Sequence, residues 1–213
     1  MDRITIDIHD PNTERLIPEI FSSPPLPVLP SNIFVSTPIS YRKESTRFIN
    51  REDPKQFAIF AGASCVQELP QYRQAGWAFC FGNHTETQKY MMMFDRLEDT
   101  PVGSSVILLT QDRADVRVLI AILQSRRWAA EGFSSLVIAT SSDYVARAIS
   151  EQLRTWLSYD WRRLAKWEVS DNSDLWQIFL SEVDKCSSEG LNVKIWPVAK
   201  SITQPADRVA AVM

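Results

Sequence analysis

Two sets of residues in this chain are of types that can do chemistry, and their spacing separates them. The first is the stretch from Tyr144 to Trp167, where Arg147, Arg154, Arg162, Arg163 and Lys166 stand against Glu151 and Asp160. Trp156, Trp161 and Trp167 are interleaved with them. Cationic side chains neutralise phosphates and indole rings offer faces on which bases stack, so this pattern suits a nucleic-acid backbone. Arg162, Arg163, Lys166 and Trp161 are the candidate contacts. The same composition also describes a helix whose charged face is solvated over buried tryptophans. The second set is Cys65, Cys80 and Cys186, an odd number without the paired spacing of a metal site. They read as reduced thiols of an intracellular protein.

The bulk properties bound what these groups can do. With 213 residues the chain holds one domain of ordinary size plus a tail, and 45% hydrophobic residues, seven Trp and ten Phe among them, can build a sizeable core. A formal net charge of −3 gives no overall attraction to nucleic acid, so any such binding must be local. The N-terminus lacks a basic-then-apolar leader, and no apolar run approaches the ~18 residues of a membrane span. The expectation is a soluble, intracellular protein without a membrane partner, nucleus and cytoplasm being undistinguished.

The elements that must position these groups follow from periodicity. Phe57–Ala61 is short and almost wholly apolar, as a strand buried on both faces is. Gly62 follows it, and Ala75–Phe81 reads as the second strand of a hairpin. Lys89–Phe94 supplies a third antiparallel strand, Asp95–Gly103 a polar connection, and Ser105–Thr110 a short extended run. From Asp112 the period becomes helical: Val116, Leu119, Ile120 and Leu123 share one face of a helix that runs to about Trp128 and ends at Gly132. Leu136–Ala139 is a buried strand, followed by helical spacing through Val145, Ala148, Ile149, Gln152, Leu153 and Trp156. Asp171–Asp174 offers caps for a helix burying Leu175, Trp176, Phe179, Leu180 and Val183, which Gly190 ends. Val193–Trp196 is a last strand, and Pro205–Met213 a terminal helix. Alternation of strand and helix signals parallel pairing. Residues 1–55 differ: Ile4, Ile6 and Ile8 alternate with polar residues, Phe21–Pro30 is Pro-rich, and Tyr41–Pro54 is charged. They are expected to form a largely irregular arm, a candidate site for a protein partner, with the domain spanning 56–213.

Several short runs resemble the type-1 ribonuclease H family. Gly62-Ala63 and Gly76-Trp77-Ala78-Phe79 are similar to its first two strands, the latter in fungal members. Asp112-Arg113-Ala114-Asp115-Val116-Arg117 resembles its helix motif, Ile138–Val145 its fourth-strand motif, and Asn172–Trp176 and Ala206-Asp207 its later ones. The matches keep their order from Phe57 to about Ala211. The resemblance implies an α/β, ribonuclease H-like fold: a mixed five-stranded sheet, three antiparallel strands then parallel ones, with helices on both faces.

It also implies a site. Active members gather four carboxylates around two divalent ions that activate water and stabilise the leaving oxygen of an RNA–DNA hybrid. Carried over by position, those sites here hold Ala61, Asp115, Ser141 and Asp207. Two ions bring four positive charges, and only two carboxylates remain to answer them. Magnesium demands oxygen ligands in near-octahedral geometry, so alanine and serine are poor exchanges. Asp115 and Asp207 are then relic acids, solvated or paired with Arg113 or Arg208, and Asp143 suits a helix N-terminus better than a metal. Asp112, standing where the family keeps an asparagine that contacts substrate, repels phosphate. The expectation is a pseudoenzyme without cofactor that binds nucleic acid or protein. The alternatives are residual Mg²⁺-dependent hybrid cleavage and a protein scaffold without nucleic-acid binding.

Overall fold

The computed structural model describes residues 16–22, 29–39, 42–69, 72–97, 109–158 and 172–213. The long strand β4 (Gln56–Leu69) is central. Its alternation sends Phe57, Ile59 and Ala61 to the main core and Ala58 and Phe60 to the opposite face of the sheet. Two-sided burial of this kind is why Phe57–Ala61 reads as continuously apolar. Beyond Phe60, β4 pairs antiparallel with β5 (Tyr72–Asn83), and β5 pairs in turn with β6 (Tyr90–Arg96). On its other edge β4 runs parallel to β7 (Ser135–Thr140), which runs parallel to β8 (Asn192–Pro197). The order β6-β5-β4-β7-β8 is a mixed five-stranded sheet, antiparallel then parallel, matching the ribonuclease H-like fold.

Helices cover both faces. Helix α2 (Gln111–Ser125) buries Val116, Leu119, Ile120 and Leu123, the face that the spacing predicts. Helix α3 (Asp143–Arg147) continues through a π turn at Ala148–Gln152 into α4 (Leu153–Ser158). Helix α5 (Ser173–Ser188) buries Leu175, Trp176, Phe179, Leu180 and Val183, again the predicted set. Gly132 and Gly190, at φ +91° and +82°, adopt the left-handed conformation that turns the chain after each helical segment. On the other face lies α6 (Lys200–Ala210). It begins before Pro205, not at it, so the proline interrupts the helix's own hydrogen bonding. Docking compensates: a Cβ on Gly62 would meet the Asp207 nitrogen and lie 2.6 Å from the Ala206 carbonyl carbon. At Gly76 a Cβ would lie 2.6 Å from the Ala210 oxygen. The two glycines let the helix backbone rest directly on the sheet.

The N-terminal region corrects the expectation of an irregular arm through residue 55. After the short helix α1 (Pro30–Ile33), β2 (Phe34–Ile39) and β3 (Arg42–Asn50) form a hairpin, and β3 pairs with β4 through Phe48 and Ile49. Earlier, β1 (Glu19–Ile20) runs parallel to β8. The described sheet therefore has eight strands, the expected five plus three. Packing explains this. Phe34 joins Ala58, Val137, Ala139 and Trp196 in a second cluster, with Phe21, Phe48 and Phe60 against it. Phe21 is not the sparsely packed residue that its Pro-rich setting implies; its N–H donates to Ile195 O at 2.7 Å and its ring lies 5.5 Å from Trp196. Arg47, fully buried, holds the hairpin in place with 2.8 Å bonds from Nε and Nη2 to Glu131. Its guanidinium also lies over Phe81 and Trp128. The alternating Ile4, Ile6 and Ile8, the Pro-rich run at 23–28 and residues 105–108 lie outside the described residues. Among those described, no helix is long and apolar enough to cross a membrane.

Candidate functional site

A cleft of about 320 Å³ opens where β7 ends, beside the middle of the longer strand β4. Ala61, Asp115, Ser141 and Asp207 all line it. Because β4 and β7 are parallel neighbours with Phe60 opposite Ala139, Ala61, where β4 leaves its pairing with β7, and Ser141, just past the end of β7, come close together. Thr110 caps α2 by accepting from Arg113 N at 3.1 Å, which fixes where the helix begins and sets Asp115 at the cleft. The close seat of α6 on Gly62 delivers Asp207 from the far side.

Both carboxylates are engaged by the chain's own donors. Asp115 Oδ1 accepts from Gln111 Nε2 at 2.8 Å, and Oδ2 accepts from the Ser142 hydroxyl at 2.6 Å. Gln111 also bridges to β4, donating to Ala63 O at 3.1 Å and accepting from Cys65 N at 2.9 Å. Ser142 Oγ in turn accepts from Val145 N at 3.2 Å and so caps α3. Thr203 Oγ1 lies 2.8 Å from Asp207 Oδ2 and 2.9 Å from Ser141 Oγ. A hydroxyl has one proton, so the Thr203 proton belongs to the carboxylate and Ser141 can donate to Thr203. Ser141, Thr203 and Asp207 thus form a short relay of neutral donors ending on an acid.

Burial dominates the electrostatics. It pushes the Asp115 carboxyl up from 3.8 to about 6, against the lowering effect of Ser142 and Gln111, while Asp112 and Asp207 add repulsion. Burial also raises Asp207, opposed by its bonds to Thr203 and the Ala63 backbone and by the charge of Lys200. Asp112 is raised by burial too, and the Arg147 charge opposes that shift. Asp112, Asp115, Asp143 and Asp207 line the cleft with Lys200 as the one cation among its described residues.

Several expected partnerships fall elsewhere. Arg113 does not pair with Asp115; it forks onto Asp174 at 3.0 and 2.7 Å and ties α2 to α5. Arg208 is exposed on α6, and Asp207 takes Thr203 instead. Asp143 lies in the first turn of α3, but the capping side chain is Ser142. Trp156 is buried beside Trp176 at 6.1 Å, so its ring offers no face to a base. Arg147 and Arg154 are exposed. Trp161, Arg162, Arg163 and Lys166 lie outside the described residues. Gln111, Ser142, Lys200 and Thr203 were not singled out by their spacing. The signals present are Ser142, a cap-type residue directly before a helical period, and the i, i+4 spacing of Gln111 with Asp115 and of Thr203 with Asp207.

No protein-family profile matches the sequence, and no curated protein matches it either. Among solved structures, the foamy viral protease–reverse transcriptase in complex with dsDNA is similar at a TM-score of 0.48 and 17% identity, over 72% of this chain and 90% of that one. The same viral protein in complex with an RNA/DNA hybrid gives 0.49 and 16%, over 99% of this chain and 23% of that one. RNase H1 from the halophilic archaeon Halobacterium salinarum gives 0.43 and 16%, over 73% and 94%.

Proposed function

We propose that this chain is a ribonuclease H-like protein that does not cleave RNA–DNA hybrids and works by binding nucleic acid. The observation that carries the reading is the cleft, where four positions converge, only two of them carboxylates, and both acids are held by Gln111, Ser142 and Thr203. A pair of divalent ions needs hard oxygen ligands and balancing charge, and this donor set does not fit it. Among the described residues no group of three or more His, Cys, Asp or Glu side chains is placed to hold a metal ion. Asp115 and Asp207 serve as anchors of a hydrogen-bonded floor that joins β4, α2, α3 and α6. The run Gly76–Phe79 supports kinship with the fungal type.

Binding falls to the basic, Trp-containing stretch that starts at α3, with Arg162, Arg163, Lys166 and Trp161 as contacts. The acidic cleft repels a phosphate backbone, so these side chains, and not the cleft, are assigned the contact. The purified protein is expected to show no hybrid cleavage in Mg²⁺ or Mn²⁺, and binding of a hybrid duplex that falls steeply with salt. Arg162→Ala with Arg163→Ala should weaken that binding and flatten its salt slope. Ala61→Asp with Ser141→Asp restores four carboxylates and should raise Mn²⁺ affinity measured by calorimetry, whereas Ala61→Asp alone should raise it far less. Robust Mg²⁺-dependent cleavage by the wild type overturns the reading of the cleft. Absence of duplex binding at low salt overturns the nucleic-acid part and leaves a protein partner.

A further inference from the structure

The sheet has three outer edges, and two carry devices that prevent pairing. The edge strand β1 has two residues, too short to template another strand. On β2, Pro38 has no N–H to offer a further strand, whereas the one irregularity in the ladder of β6, at Cys80/Gly82, lies on its partner β5. The third edge is β6, which among the described strands pairs only with β5. Its seven residues contain no proline, and Tyr90–Phe94 carry no charge. Met91 and Met93 pack on the core, while Tyr90 and Phe94 on the other face are 54% and 52% exposed. Among the described residues the outward N–H and C=O groups of this edge have no strand partner and sit in an apolar setting, a template for another strand.

We propose that β6 pairs antiparallel with β6 of a second copy of this chain, about a two-fold axis through Met92, so that the two sheets become one. The sequence of the edge selects this occupant. Centred on Met92, the pairing sets Lys89 against the partner subunit's Asp95, Tyr90 against the partner subunit's Phe94, and Met91 against the partner subunit's Met93. The two-fold repeats each contact. Centring on Met93 instead sets Lys89 against the partner subunit's Leu97 and Asp95 against the partner subunit's Met91. Centring on Met91 sets Lys89 against the partner subunit's Met93. Only the Met92 register matches charge with charge and ring with ring. Lys89 and Asp95 are both exposed, and the bond that Asp95 Oδ1 accepts from Arg96 N at 2.8 Å is local. Because the same patch is used on both sides, the contact closes on itself as a dimer.

Sedimentation velocity of the full chain, over a concentration series reaching high micromolar, tests this. The wild type is expected to dimerise. Lys89→Asp or Asp95→Lys turns two attractive pairs into two repulsive ones and should weaken association by about tenfold. The two changes together swap the signs and should restore it. Circular dichroism and thermal melting of each variant separate loss of pairing from loss of folding. A chain that stays monomeric throughout, even with its β6 amides protected from exchange, overturns the proposal. So does a dimer indifferent to the single reversals, or one that the combined reversal fails to restore.

Discussion

Ser142 shows how one small side chain can settle the character of a site. Its hydroxyl caps α3 and donates to Asp115, so the acid is fixed by the same atom that starts a helix. Asp115 nonetheless remains costly to ionise, and stability should report that. Its folded pKa, about 6, lies above the unfolded value of 3.8. Between those values the unfolded chain releases the proton first, folding takes one up, and stability falls as pH rises. The loss is complete above about 6 and absent below 3.8. Asp115→Asn removes the ionisation, so it should stabilise the protein by roughly 1–3 kcal/mol at neutral pH and by almost nothing in acid. Urea titrations at the two pH values decide it; equal effects at both would mean that Asp115 is not the group. The positions of Asp115 and Asp207 were legible in sequence because short motifs mark them. Gln111 and Thr203 were not. Each reaches its acid four residues on in the same helix. Their further partners, Ala63 and Cys65 on β4 for one and Ser141 for the other, come from other elements, and a lone polar i, i+4 pair is too common to mark a site.

Elements whose burial is periodic were legible residue by residue, as α2 and α5 show. The hairpin β2–β3 was not. Its decisive residue is an arginine, and a charged residue reads as surface until its partner is known. Removing Glu131 leaves the Arg47 charge buried and uncompensated, so Glu131→Gln should cost about 3–5 kcal/mol. Adding Arg47→Met should recover much of that loss, since the pair must repay its own desolvation. Chemical denaturation of the single and double variants measures both. The start of α6 was misread for a related reason: proline marks a first turn in isolation, but tertiary contact overrides it. Gly62→Ala pushes a methyl into the helix backbone and should destabilise by about 2–3 kcal/mol, with Asp207 displaced from the cleft.

At the scale of the molecule, the five-stranded order was legible, and its extension to eight strands was not. β1 has only two residues and the nine of β3 include just two apolar ones, Phe48 and Ile49, so composition outweighed pattern. What they contribute is cover for the second apolar face, where Phe21, Phe34 and Phe48 lie. Deleting residues 1–50 should therefore uncover Ala58, Val137 and Trp196 and leave an edge of β4 unpaired. Such a truncated chain is expected to melt at lower temperature and to aggregate, by differential scanning fluorimetry and light scattering. A soluble truncation that melts with the full chain would restore the idea of a dispensable arm.

The pairing of β1 with β8 has a kinetic meaning. Glu19 and Ile20 find their hydrogen-bond partners at Lys194 and Ile195, so this ladder must wait until nearly the whole sequence between them has collapsed. Local helices and the β4–β5 hairpin pay little loop entropy, whereas this contact pays for one of the longest loops in the chain. Its closure belongs late on the folding path, after the transition state. Weakening it should accelerate unfolding and leave the refolding rate nearly unchanged.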